Sequence, residues 1–74
     1  MEFAKLRGRI KERYHTEKAF AHAMGMSPSA LSMRLNSKTR WIPVEICRAC
    51  NLLGLSGGEH YDYFFECLVE KSEP

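Results

Sequence analysis

The feature that most constrains this chain is the break in "AFAHAMGMSPSALSMRLN", residues 19–36, where one apolar helical pattern stops and another begins. Gly25 is the residue type that most readily closes a helix in the left-handed conformation, and Met26 can then pack back on the last turn. Ser27 is a favourable N-cap, and Pro28 suits the first helical position, where its missing N–H costs nothing. The stretch therefore predicts a helix, a short glycine turn and a second helix. The inward-facing positions are Phe20, Ala21 and Met24 before the turn and Leu31 and Leu35 after it.

Three other segments also have helical spacing, and no segment shows the two-residue alternation of a strand. Thr16 can cap the helix that precedes the glycine turn, Pro43 can open a fourth helix, and "SGGE" has the spacing of a capping box for a fifth. The apolar positions of the first helix are Leu6, Ile10 and Tyr14, and the inward residues of the fourth are Ile46, Cys47, Cys50 and Leu53. In the fifth helix, the apolar face is made by Tyr61, Phe64, Phe65 and Leu68. The patterns predict an all-α fold of about five short helices.

The length of 74 residues is enough for one small domain, which we expect to span residues 1–70 with a frayed tail at 71–74. No run of about 18 apolar residues offers a membrane span, and the N-terminal segment mixes charge too evenly for a signal peptide. The three cysteines are an odd number and too few for a disulfide scaffold. We therefore expect free thiols and a cytoplasmic location.

The charge of the chain is strongly polarised. Residues 1–40 carry nine Lys and Arg against three Glu, whereas residues 41–74 carry two Lys and Arg against six Asp and Glu. A small domain with one basic half is suited to binding a polyanion, and duplex DNA, with one phosphate charge every ~1.7 Å, is the commonest candidate.

The segment "TEKAFAHAMGMSPSALSMRLN" (residues 16–36), the following "W…P…LLG" run and an aromatic fifth helix resemble the lambda repressor and phage Cro class of helix-turn-helix proteins. The resemblance covers roughly residues 3–65, and within the class it is to the short Cro-like proteins of phages and prophages. It implies a compact five-helix DNA-binding domain whose helices 2 and 3 form the helix-turn-helix, with helix 3 in the major groove. The residues at base-facing positions are Pro28, Ser29, Ser32 and Met33, and those at phosphate positions are Asn36, Lys38, Thr39 and Arg40.

Two positions depart from the pattern of this class. Glu17 stands where most relatives have a glutamine that contacts a phosphate, so its charge would be repelled by DNA unless Lys18 or Arg34 offsets it. Ser37 stands where relatives have glycine, so we expect a differently shaped connection. The base-facing positions also lack the glutamines and arginines that discriminate bases by ~1–3 kcal/mol each. We therefore expect modest selectivity, with Met33 packing on thymine methyl groups in each half-site.

These observations predict a sequence-specific double-stranded DNA-binding regulator, a Cro-type repressor that acts in the bacterial host by occluding a promoter. One recognition helix reads few base pairs, so we expect a homodimer on a pseudo-palindromic operator with half-sites ~34 Å apart. The fifth helix carries more aromatic residues than a small core can bury, and it is the expected dimer surface. Its interface residues would be Tyr61, Phe64 and Phe65. No cofactor and no small-molecule effector are expected.

Several alternatives remain open at this level. Cys47, Cys50, His60 and Cys67 could supply four zinc ligands, although the first two lie in an apolar stripe where cysteine acts as a small hydrophobe. Met33 is equally consistent with core packing, and the cations of the first helix are more typical of a solvated face.

Enzymatic activity is not expected, since the chain has no phosphate loop and little volume for a pocket. The rival function is a protein-interaction module, an antirepressor or docking subunit using the aromatic fifth helix; RNA binding is a third.

Overall fold

The structure, a computed structural model, describes the backbone of residues 2–68 and the side chains of residues 2–65. Within this range the chain is all-helical, as the patterns predict. The elements are α1 (Ala4–Tyr14), α2 (Glu17–Met24), α3 (Pro28–Leu35), α4 (Pro43–Leu53) and α5 (Gly57–Leu68). The predicted frayed tail at 71–74 and the inward side chain of Leu68 lie outside the described part.

Helices α2, α3 and α5 begin where side chains satisfy free backbone N–H groups at the helix start. Thr16 Oγ1 accepts from the backbone N–H of Ala19 (3.0 Å), and Ser27 Oγ accepts from that of Ala30 (3.1 Å). At α5, Glu59 Oε1 accepts from the backbone N–H of Ser56 (2.9 Å). The caps at Thr16 and Ser27 are those predicted from the sequence, whereas only the Glu59 half of the predicted capping box forms, since the Ser56 hydroxyl donates to Glu59 Oε1 (3.2 Å).

Two helices end at glycines in the left-handed conformation. Gly25 has φ 77° and Gly54 has φ 67°. After α2, the N–H of Met26 donates to Ala21 O (3.0 Å) and that of Gly25 to His22 O (3.0 Å), the paired bonds of a Schellman motif. This geometry turns the chain sharply between α2 and α3, so that α3 packs across α2.

The core is one cluster to which every helix contributes. Fully buried side chains of α1, α2, α3 and α4 meet there, among them Leu6, Ile10, Phe20, Met24, Leu31, Leu35 and Leu53. Trp41 closes the cluster from the connection before α4, with ring centroids 6.2 Å from Phe3 and 5.0 Å from Phe64 in edge-to-face contacts. The core spans the helix-turn-helix unit and thereby fixes the direction in which α3 presents its outer face.

The prediction for Cys47 is wrong. Its side chain is exposed, and Ala49 is buried in its place. The buried stripe of α4 runs through Ile46, Ala49, Cys50 and Leu53, which follow helical steps of three or four residues. Cys47 is one residue, or about 100°, away from Ile46 and so turns toward solvent.

Candidate nucleic-acid interface

The outer face of α3 carries the four residues expected to face bases. Pro28, Ser29, Ser32 and Met33 are all exposed, and 47% of Met33 is accessible. The opposite face is buried through Leu31 and Leu35. Because Met33 contributes nothing to the core, the alternative of a core-packing role for this residue is wrong.

The connection after α3 presents the expected cations. Lys38 and Arg40 are exposed and Thr39 is half-buried. Met33 O accepts hydrogen bonds from the backbone N–H groups of Lys38 (2.8 Å) and Thr39 (3.3 Å), which folds the connection back on the last turn of α3. Ser37 takes the left-handed conformation, with φ 60°. A serine therefore occupies here a backbone geometry that favours glycine.

Asn36 is engaged within the protein. Its amide nitrogen donates to Ser32 O (2.8 Å) and to Ser32 Oγ (3.3 Å), and its Oδ1 accepts from Arg7 Nη2 (3.1 Å). The two groups that a side-chain amide offers thus already have partners. In this structure Asn36 ends α3, and a phosphate contact would compete with these bonds.

Glu17 has a charge partner that is neither Lys18 nor Arg34. Arg7 Nη1 lies 2.9 Å from Glu17 Oε2, and Arg7 Nη2 also donates to Leu35 O (3.0 Å). Neither Lys18 nor Arg34 pairs with this carboxylate, because the guanidinium of Arg7 in α1 reaches the start of α2 and the end of α3. Arg7 is likewise not a solvated cation of the first helix. These partners lie 10 and 28 residues away in sequence, so no local pattern reveals them.

Arg34 turns away from the outer face of α3 and pairs with Glu45 at the start of α4. Two parallel contacts of 2.9 Å join Arg34 Nε to Glu45 Oε1 and Arg34 Nη2 to Glu45 Oε2. Burial acts to raise the pKa of the Glu45 carboxyl, but the hydrogen bonds from Arg34 and from the Ile42 N–H, with the positive charges of Arg34 and Arg48, lower the pKa overall.

The paired arginines leave a smaller set of cations beside α3. Lys18, Lys38 and Arg40 are exposed and form no ion pair with any residue in the described range. They lie at the start of α2 and in the connection after α3, on either side of the base-facing residues in sequence. In space, Lys18 lines one groove together with Pro28, and the backbone N–H of Lys38 bonds to Met33 O (2.8 Å), so cations lie near both ends of the uncharged outer face of α3. Such an arrangement suits phosphates on both sides of a groove.

A shallow, mostly apolar groove borders this surface at the start of α2 and α3, and sequence reasoning missed it. Its lining comes from two helices and the turn between them, so no single pattern marks it. The lining residues are Thr16, Lys18, Ala19, His22, Met26 and Pro28.

The expected dimer surface on α5 is only partly available. Tyr61 and Phe65 are about half exposed and meet edge to face with centroids 5.1 Å apart, whereas Phe64 is fully buried in the core. The expectation that Phe64 contacts a partner is therefore wrong for this fold. Tyr61 and Phe65 lie four residues apart, and between them Phe64 has a non-helical backbone (φ −117°, ψ 22°), so α5 is kinked at the residue whose side chain enters the core.

The cysteines of α4 have different environments. Cys47 is exposed, whereas burial and the neighbouring Cys47 raise the pKa of the Cys50 thiol to about 11. Metal binding requires the thiolate, which such a pKa disfavours. The side chain of Cys67, the last candidate zinc ligand, lies outside the described part, and the described residues contain no group of three or more His, Cys, Asp or Glu arranged to hold a metal.

No helix in residues 2–68 is long and apolar enough to cross a bilayer.

Comparison with known proteins identifies the family. No curated protein matches the chain. The chain is similar to the modulator of repression (MOR) of the temperate bacteriophage TP901-1 from Lactococcus lactis, whose solution structure superposes with a TM-score of 0.79. The two sequences are 36% identical, and the match covers 89% of each chain. A family model described as "Protein of unknown function (DUF739)" matches residues 1–67, and the chain belongs to this family.

Proposed function

We propose that this chain is a phage regulatory protein that controls repression through a helix-turn-helix unit of the lambda repressor type, and that α3 binds double-stranded DNA. The observation that carries the DNA proposal is the exposed face of Pro28, Ser29, Ser32 and Met33 flanked by unpaired cations. The similarity to a phage modulator of repression supports the regulatory role. Such a role takes place in the cytoplasm of the bacterial host, and it requires no catalytic activity or effector.

The chemistry of the surface suits a division of labour between phosphates and bases. Lys18, Lys38 and Arg40 can neutralise backbone phosphates and set the register of α3 in the major groove. The hydroxyl groups of Ser29 and Ser32 can donate to or accept from base edges, and Met33 can pack on a thymine methyl. Because Arg7 pairs with Glu17, the carboxylate that would repel DNA is largely compensated.

A homodimer completes the proposal. Three cations per protomer are few, but two protomers on a pseudo-palindrome with half-sites ~34 Å apart would neutralise about six phosphates. The exposed pair Tyr61 and Phe65 offers an apolar contact for the second copy. A dimer bound at a promoter would block access of the polymerase and so repress by occlusion.

The salt dependence of duplex binding tests the DNA proposal. With about six phosphates neutralised, the logarithm of the affinity should fall against the logarithm of the salt concentration with a slope of about −5. Lys38→Ala and Arg40→Ala should each make this slope shallower by about 2 in a dimer. Lys11→Ala removes the same charge from an exposed position of α1 and serves as the matched control. Binding that is absent, or that does not respond to salt, contradicts the proposal.

A second candidate is contact with a repressor protein instead of with DNA. Two observations favour it: the similar phage protein is named a modulator of repression, and the outer face of α3 is uncharged and includes a half-exposed Met33. A cellular reporter that carries a phage repressor and its promoter separates the candidates. If α3 contacts protein, Met33→Asp should abolish regulation while Lys38→Ala and Arg40→Ala leave it nearly unchanged. If α3 contacts DNA, the two cation variants should impair regulation.

A further inference from the structure

Arg34 lies directly after Met33 on α3, yet every nitrogen of its guanidinium is used inside the protein. Nε and Nη2 bind the two oxygens of Glu45, and Nη1 donates to Ala30 O (3.0 Å). The side chains of Arg34 and Glu45 are only 17% and 11% exposed. A bidentate pair shielded from water has a defined geometry, unlike a surface ion pair, whose two long side chains move freely.

The same carboxylate also holds the end of the connection between α3 and α4. Glu45 Oε1 accepts from the backbone N–H of Ile42 (3.1 Å), the last residue before α4. The start of the connection is held by α3 itself, because Met33 O accepts from the N–H of Lys38 (2.8 Å). Both ends of the segment that carries Lys38 and Arg40 are therefore tied to α3, one directly and the other through Glu45 and Arg34.

We propose that Arg34 and Glu45 are positioning residues that fix Lys38 and Arg40 relative to the base-facing side of α3. The inference rests on the proposed DNA binding. Cations on a loose segment would still find phosphates, but they would no longer hold α3 in one register over the bases. The pair therefore contributes to selectivity between sequences more than to affinity for DNA in general.

The test compares Glu45→Gln with the wild-type chain on a duplex selected from a random library and on a random-sequence duplex. The amide keeps the shape of Glu45 but removes its charge and one of the two acceptors for Arg34. We expect the ratio of the two affinities to fall about tenfold, while the salt slope on the random duplex stays unchanged. A role limited to folding stability would lower both affinities together through the folded fraction. An unchanged ratio in the folded variant overturns the inference.

Two further variants keep the test decisive. Arg34→Lys retains a positive charge but cannot form two parallel bonds, so it should show the same loss of selectivity if Glu45→Gln does not fold. Glu12→Gln removes a carboxylate from an exposed pair with Arg9 on α1 and should leave the ratio unchanged. A fall of the same size in this control overturns the inference.

A measurement without DNA separates the inference from the proposed function. Amide hydrogen exchange at Ile42 should become faster in Glu45→Gln than in Glu12→Gln, because the Ile42 N–H loses its charged acceptor. Unchanged exchange overturns the positioning role, whatever the DNA result. A wild-type chain that binds no duplex overturns the proposed function and the inference with it. Selective wild-type binding that Glu45→Gln leaves intact overturns the inference alone.

Discussion

The turn between α2 and α3 depends on the left-handed backbone of Gly25, and Gly25→Ala measures that dependence. Gly25 has φ 77° and ψ 29°, and a Cβ added there would meet no atom within 4 Å. The substitution therefore creates no steric clash, and its cost is conformational. An alanine in this region costs about 1–2 kcal/mol, partly offset by about 0.4–1 kcal/mol because alanine restricts the unfolded chain. We expect a net loss of about 1 kcal/mol in the free energy of unfolding.

Gly8→Ala is the matched control, because Gly8 lies within α1 and an added Cβ there also meets nothing within 4 Å. In a helix the same substitution should stabilise the protein by about 0.5–1 kcal/mol. Urea denaturation followed by circular dichroism measures the free energy of unfolding of both variants. In thermal unfolding of a domain of this size, Gly25→Ala should lower Tm by about 4–8 °C. If Gly25→Ala is as stable as the wild-type chain, or more stable, the left-handed turn is not what joins α2 to α3.

Three further predictions concern single side chains. Ser37→Gly should stabilise the protein by about 0.5–1 kcal/mol in the same denaturation assay, because Ser37 has φ 60° and glycine removes that strain; a loss of stability would contradict this. The pKa of Glu45 is lowered in the folded state, so the advantage of the wild-type chain over Glu45→Gln should be complete above the ordinary value of 4.5 and shrink as the pH falls below it. Urea titrations at several pH values check this, and a difference that grows in acid would refute it. Cys47 should react with a thiol reagent much faster than Cys50, whose burial raises its pKa to about 11; peptide mapping distinguishes the two, and equal labelling would refute the buried position of Cys50.

The local architecture could be predicted because it depends on neighbours in sequence. The caps at Thr16 and Ser27 and the glycine stop at Gly25 use bonds between residues no more than five positions apart. Such interactions form within one or two turns of helix, so residue type and spacing suffice to identify them. Spacing also correctly predicted that Leu31 and Leu35 face the core, whereas the outward position of Met33 was implied by the family resemblance and stayed open until the structure showed it exposed.

The side-chain partners could not be predicted, because they depend on how the helices cross. Arg7 reaches Glu17 and Leu35, and Arg34 reaches Glu45, only after α1, α3 and α4 have packed around the core. From sequence, each of these arginines is one more cation in a basic half. Packing also decided which aromatic side chains of α5 enter the core.

The sequence by itself therefore determined the helices, their ends and the face that α3 turns outward, because hydrophobic spacing and capping act over a few residues. Only the tertiary structure decided which charges remain free on that face. A long side chain such as arginine chooses among several partners within its reach, and the helix crossings set which carboxylate or carbonyl is near enough to bind it. Near α3, the cations left for phosphates are Lys18, Lys38 and Arg40, none of which has a carboxylate partner among the described residues.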